Sequence, residues 1–111
     1  INGPEIAQYG VINPNLDTNS VISIIEKPEY LDAPSNLASI GRYILTAEIF
    51  PLLRNQNAGI NGEIQLTDAI NLLANDGKVE FLPFNDGKRF DCGSVNGYIE
   101  AINYVANHEI T

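Results

Sequence analysis

Three observations predict an α/β fold in which a mixed sheet carries flanking helices. Two β-branched or apolar runs, residues 7–13 and 20–26, are separated by Asn13-Pro14-Asn15-Leu16-Asp17-Thr18-Asn19, a segment dense in turn formers. Leu66, Ala69, Ile70 and Leu73, and later Val95, Tyr98, Ile99, Ile102 and Val105, recur at three- and four-residue spacing, the mark of helices with one apolar face. Between those stretches Val79-Glu80-Phe81-Leu82-Pro83-Phe84 alternates in the manner of a strand.

Taken in order, the first two runs predict a hairpin or adjacent strands, with Tyr9 and Gly10 inside the first. Pro28 has no amide hydrogen and stops ladder pairing, which makes Glu26 and Lys27 the last residues of the second strand. Asp32 to Asn36 reads as a loop. Leu37-Ala38-Ser39-Ile40-Gly41-Arg42-Tyr43-Ile44-Leu45 reads as a strand buried on most of its length and interrupted at Gly41. Thr46 suits the N-cap of a helix through Phe50, and Pro51 predicts a kink or an end near Arg54. Residues 55–62, with three asparagines and two glycines, form a loop long enough to reach over a pocket. Thr67 or Asn61 is the expected cap of the next helix and Gly77 its end. Asn85-Asp86-Gly87 signals a hairpin turn that returns Lys88-Arg89-Phe90-Asp91 as a short strand, and Ser94 caps the last helix.

A chain of 111 residues makes one domain, and 44% hydrophobic with 18% charged residues indicates a folded, soluble chain. Fourteen acidic residues against six basic ones give a net charge of −8, which argues against nucleic acid or an anionic membrane as partner. An anionic ligand must therefore use one of the six cations or a helix end. One cysteine and one histidine exclude an intramolecular disulfide and make a cysteine/histidine zinc site implausible, and they fit a cytoplasmic protein. No apolar run reaches the ~20 residues of a membrane span. The chain starts with Ile1-Asn2-Gly3-Pro4 rather than methionine, which we read as a piece of something longer.

Several short segments carry chemistry. Glu26-Lys27 at a strand end is either an exposed charged pair or a clamp in which the ammonium meets a phosphate and the carboxylate accepts from sugar hydroxyls. Neighbouring strand residues point to opposite faces, so both reach one ligand only where the strand ends and twists. Gly10 would let backbone approach a ligand, with Tyr9 lining the pocket or serving as an ordinary strand aromatic. Asp91 lies where a strand gives way to a helix, the usual ligand edge of an open α/β sheet, as either a turn former or a metal carboxylate. Glu63 and Asp68 flank a helix start and suit its positive end, whatever else they do. Hydrolase elbows, P-loops and dinucleotide fingerprints are absent.

In this order the segments Tyr9-Gly10-Val11, Glu26-Lys27-Pro28, Ala33-Pro34-Ser35-Asn36-Leu37-Ala38, Gly41-Arg42-Tyr43-Ile44-Leu45-Thr46, Gly62-Glu63-Ile64-Gln65-Leu66-Thr67-Asp68-Ala69 and Arg89-Phe90-Asp91-Cys92-Gly93 resemble the C-terminal half of the bacterial UTP:glucose-1-phosphate uridylyltransferases, the UDP-glucose pyrophosphorylases. The resemblance runs through nearly the whole chain. It implies the C-terminal portion of a Rossmann-like nucleotidyltransferase fold, an activity that joins UTP and glucose 1-phosphate into UDP-glucose with release of pyrophosphate, and Mg²⁺ as cofactor. Carried over by motif, Tyr9, Gly10, Glu26, Lys27 and Glu63 would bind substrate, Lys27 would be the catalytic cation at the phosphate, and Asp91 would hold the metal.

The family's glycine-rich Gly-x-Gly-Thr-Arg-x-x-Pro loop and second metal aspartate do not occur here, so residues 1–111 are expected to be the sugar-phosphate-binding part, with the nucleotide-binding part absent and no turnover from this piece alone. The alternatives are a non-catalytic α/β assembly module, or the same half of an ADP-glucose or dTDP-glucose enzyme. Under any of them, strands split from their sheet and an amphipathic last helix predict self-association into a homo-oligomer.

Overall fold

The computed structural model describes residues 1–56 and 63–108. Its elements are β1 (Gly10–Asn15), β2 (Ser20–Glu26), β3 (Ala38–Ser39), α1 (Ile49–Arg54), α2 (Leu66–Asn75) and α3 (Val95–His108), with 3-10 turns at Pro4–Gln8 and Tyr30–Asp32. The strands form one antiparallel sheet in the order β2-β1-β3.

The predicted hairpin is present. Leu16 to Asn19 form the turn, Asn19 taking a left-handed φ of 57°, a conformation asparagine tolerates better than most residues. The β1–β2 register shifts between Asn13 and Pro14, where a residue without an amide hydrogen falls in the ladder. Tyr9 is not in the strand as expected. Pro4 enters the first turn of a 3-10 helix, whose last residue is Gln8, so Tyr9 is the extended joint and β1 starts at Gly10.

The apolar sides of β2 and α2 make the core. Val21 and Ile24 pack with Ile49 of α1 and with Ala69, Ile70, Leu73 and Ala74 of α2, joined by partly buried Ile12, Leu52, Leu53, Leu66, Val79 and Phe81. Full burial of one such aliphatic side chain stabilises by about 1.5–3 kcal/mol. The outer edge of β2 also meets α2, because Asn71 accepts from the Ile24 N–H through Oδ1 (2.6 Å) and donates through Nδ2 to the Ile24 carbonyl (2.8 Å). One side-chain amide thus stands in for a strand partner.

Helix α1 starts at Ile49, later than the Thr46 cap predicted, and ends at Arg54 as Pro51 foretold. The late start puts Pro51 in the first turn, where amides lack intrahelical acceptors and the missing N–H costs little. Helix α2 matches its predicted apolar stripe, and Gly77 follows its end with φ 72°. Gln65 precedes it without a side-chain cap. Thr67 is not the cap, and Asn61, the other expected cap, lies outside the described residues, as does most of the 55–62 loop.

Two expected strand regions are largely absent among the described residues. The strand expected over Leu37–Leu45 is ordered only at Ala38–Ser39, and Gly41 with φ 74° turns the chain away before Ile44, which is fully exposed. The hairpin expected over residues 79–91 reduces to an isolated bridge between Ser20 and Glu80, supported by Val21 N–H to the Val79 carbonyl (2.8 Å) and Phe81 N–H to the Asn19 carbonyl (3.0 Å). A strand needs an open edge to pair with. Beyond Phe81 the chain leaves β2, Pro83 has no amide hydrogen, and Leu82 and Phe84 face solvent.

Helix α3 departs most from expectation. Ser94 caps it, its Oγ accepting from the Gly97 N–H at 3.0 Å, but none of its residues is buried and the Val95, Tyr98, Ile99, Ile102 and Val105 stripe is exposed. It is held instead by aromatic contact, Phe90 against Tyr104 at 5.3 Å between ring centroids, with Lys88 over both rings and His108 stacked on Tyr104 at 4.1 Å. No helix among the described residues is long and apolar enough to cross a membrane.

Candidate functional site

The ladder of the sheet assembles the site. Gly10 pairs with Glu26 of β2 on one side and with Ser39 of β3 on the other, so Ser39, Gly10 and Glu26 form one row across all three strands. The row lies at the start of β1, the end of β2 and the end of β3.

Gly10 is buried, and the absence of a side chain there has a direct reason. A Cβ at this position would lie 3.0 Å from Glu26 Oε2 and 3.2 Å from Ile24 Cγ2. The Glu26 carboxylate therefore lies over the glycine, and Thr67 Oγ1 of α2 donates to the same Oε2 at 3.1 Å. This contact joins two segments 41 residues apart, and sequence reading missed it because Thr67 also fits a helix-start role. The signal available was a short polar side chain one residue into the α2 helix.

Lys27 follows the strand rather than ending it. Its φ is 46°, a left-handed value uncommon outside glycine, and its N–H donates to the Tyr9 carbonyl at 3.0 Å. This left-handed residue breaks the strand's alternation just past its end, and such outliers cluster at functional sites.

Beyond the row lies a cavity of about 240 Å³ lined by Tyr9, Ser39, Ile40, Arg89, Phe90 and Asp91. It unites Tyr9 from the start of the chain with Asp91 from its last quarter. Arg89 is the cation on its wall: the guanidinium carbon lies 4.9 Å from the centre of the Tyr9 ring, an Nη donates to the Tyr9 hydroxyl, and the other is 3.9 Å from Glu5 Oε2. Ser39 Oγ and the Tyr43 hydroxyl share a hydrogen bond of 2.8 Å beside it. Asp91 is fixed by the turn before α3, where its Oδ1 accepts from the Gly93 N–H (2.9 Å) and its carbonyl accepts from Ser94 Oγ (3.2 Å). A larger cavity of about 350 Å³, near Ile6, Tyr30 and Asn36, is lined by no acidic or basic side chain.

Five sequence-predicted positions thus meet around one sheet end: Tyr9, Gly10, Glu26 and Lys27 directly, and Asp91 across the cavity. Glu63 is not brought among them. It is exposed beside residues outside the description, and its Oε2 accepts from Gln65 Nε2 at 3.1 Å. Among the described residues, no group of three or more His, Cys, Asp or Glu side chains could by itself enclose a metal ion. Asp91 offers one carboxylate with one oxygen engaged by backbone. That fits a hard cation completing its shell with phosphate and water oxygens, and does not fit an all-protein cage.

The sheet end thus gathers a backbone-and-carboxylate row, the Arg89 cation and a turn-borne aspartate around one cavity. Residues 3–108 match the family model described as Nucleotidyl transferase, and the chain belongs to that family.

Within it the chain is similar to the UTP--glucose-1-phosphate uridylyltransferase of Pseudomonas aeruginosa PAO1, at 52% identity over 103 residues, covering 90% of this chain and 37% of that protein. The protein of that name from Haemophilus ducreyi is 39% identical over 112 residues, covering 95% of this chain and 38% of the relative. Among solved structures, a UDP-glucose pyrophosphorylase complexed with UDP-glucose superposes with a TM-score of 0.84 at 45% identity, covering 96% of this chain and 41% of that one. A UTP-bound enzyme of the same kind from Acinetobacter baumannii gives 0.77 at 38% identity, covering 97% and 38%. The chain therefore spans about two fifths of the length of the relatives it matches.

Proposed function

We propose that this chain supplies the sugar-phosphate side of a uridylyltransferase that forms UDP-glucose and pyrophosphate from UTP and glucose 1-phosphate. The observation that carries the proposal is the Glu26-Lys27 corner, with its carboxylate seated over Gly10 by Thr67 and its lysine turned by a left-handed φ at the strand end. Similarity at 45–52% to proteins of that printed name supports the choice of substrates.

In this reading the sugar hydroxyls donate to Glu26, the Gly10 backbone lies against the sugar, and Lys27 meets the phosphate. Tyr9 walls the pocket. An oxygen of the sugar phosphate attacks the α-phosphorus of UTP in line, and the bond to the departing pyrophosphate breaks as the new P–O bond forms. No covalent enzyme intermediate is needed, so the residues act by positioning and by neutralising charge. Asp91 would hold a divalent cation, expected to be Mg²⁺, which supplies charge neutralisation on phosphate oxygens when bound. The 111 residues contribute one metal carboxylate and no glycine-rich nucleotide loop, so we expect ligand binding without turnover from this polypeptide alone.

The test is a ¹⁵N-¹H NMR titration of the chain with glucose 1-phosphate, with and without Mg²⁺, repeated on Lys27→Ala. Saturable shifts at Gly10, Glu26 and Lys27 that vanish in the variant are expected. A dispersed spectrum indifferent to the ligand would count against the assignment of this corner as a sugar-phosphate site.

A further inference from the structure

We infer that Arg89 is a second phosphate-binding cation of this site, presented to the ligand from the face of Tyr9. The inference rests on the sugar-phosphate reading above and adds a residue to it. Of the six cations, Lys78 is engaged by Glu48 at 2.7 Å and Lys88 lies over Phe90 and Tyr104, whereas Arg89 lines the cavity that also holds Tyr9, Ser39 and Asp91. Its charge is only loosely compensated. The Glu5 carboxylate lies 3.9 Å away with a side chain 71% exposed, a distance and exposure at which water screens most of the attraction. No ion pair within 4.0 Å links Arg89 to Asp91 among the described residues, although both line one cavity.

Stacking on the Tyr9 ring and donation to its hydroxyl fix the guanidinium, so little side-chain entropy is lost when an anion arrives. Tyr9 also joins the two segments, because its carbonyl accepts the Lys27 backbone N–H while its ring carries Arg89. A ligand bound between them carries a phosphate monoester, whose dianion accepts from a planar fork and from an ammonium at once. A neutral sugar makes no use of Arg89.

The experiment compares glucose 1-phosphate, inorganic phosphate and glucose as NMR-titrated ligands of the chain and of Arg89→Ala, Arg89→Lys and Lys27→Ala. Arg89→Ala is expected to weaken glucose 1-phosphate and inorganic phosphate about tenfold, the loss of one charge-assisted hydrogen bond, while leaving glucose unchanged. Arg89→Lys should recover part of that loss, keeping charge without the fork. Should Arg89→Ala not fold, Arg89→Gln gives the same reading with a shorter, neutral donor. Equal weakening of glucose and glucose 1-phosphate would show a merely structural role and overturn the inference. Unchanged phosphate affinity in Arg89→Ala, with binding lost in Lys27→Ala, would overturn it while leaving the Lys27 clamp standing. A wild-type chain that binds none of the three would overturn the sugar-phosphate reading, and Arg89 with it.

Discussion

Replacing Gly10 with alanine separates the site from the fold, because the structure predicts a small cost to one and a larger cost to the other. The new Cβ would lie 3.0 Å from Glu26 Oε2, where ordinary contact begins at 3.4 Å, so the carboxylate must retreat by about 0.4 Å. The atom that yields is the far end of a flexible, exposed side chain. Folding therefore loses little, and alanine's lower backbone entropy in the unfolded chain offsets roughly 0.5–1 kcal/mol of the strain against Ile24 Cγ2. The site has no such slack. Glu26 Oε2 is held by Thr67 at 3.1 Å, and a 0.4 Å shift carries that bond toward the limit of useful geometry. Weakening one hydrogen bond to the carboxylate costs about 0.5–1.5 kcal/mol, which predicts up to roughly tenfold weaker glucose 1-phosphate binding. Urea unfolding and ligand titration of Gly10→Ala give the two numbers. Equal affinity for wild type and variant, with stability also unchanged, would refute the placement of Glu26 against the sugar.

Three further perturbations follow from contacts elsewhere. Asn71→Ala removes both hydrogen bonds to Ile24 and should cost about 1–3 kcal/mol in urea denaturation, with faster exchange of the Ile24 amide; Asn71→Asp, which still accepts from the Ile24 N–H but cannot donate to its carbonyl, should recover the amide protection and only part of the stability. Ser94→Ala removes the α3 cap at a cost of about 1 kcal/mol, and because α3 buries no residue this should appear as lost helicity by circular dichroism rather than as a shift in global unfolding. The hydrogen bond and charge of Glu48 raise the Lys78 pKa above its ordinary 10.5. A raised folded-state pKa stabilises fully below 10.5 and is lost as pH climbs through the higher folded value, so thermal melts of wild type and Lys78→Gln should converge only in strong alkali.

The legibility of the sequence tracks how local each signal is. Turn formers, Pro28, the α2 stripe and the Ser94 cap act within a few residues, and the hairpin, α2 and the start of α3 follow them. The strand over residues 37–45 and the hairpin over 79–91 needed partners that sequence cannot place, and there the pattern of apolar residues misled: Ile44, Leu82 and Phe84 are exposed. The α3 stripe shows the same limit, since an amphipathic pattern tells which side is apolar and not what covers it. At the site, Tyr9, Gly10, Glu26, Lys27 and Asp91 were legible as motifs. Thr67 and Arg89 also lie within motifs, but their contacts were not legible, because each is made with a residue at least 41 positions away.

The two sides of the site are unequally supported, and this orders what the chain can do. The Gly10–Glu26 row is backed by Val11, Val21 and Ile24, all buried, so its geometry is set before any ligand arrives. Asp91 sits on an exposed segment that pairs with no strand among the described residues and precedes a helix without a buried residue. Its position depends on the Ser94 turn and on the tie from its neighbour Arg89 to Tyr9. Breaking that tie should leave the Gly10–Glu26 row intact and loosen the Asp91 turn. Under Arg89→Ala the Gly10 and Glu26 amides should keep their shifts, while the Asp91 and Gly93 amides broaden or move.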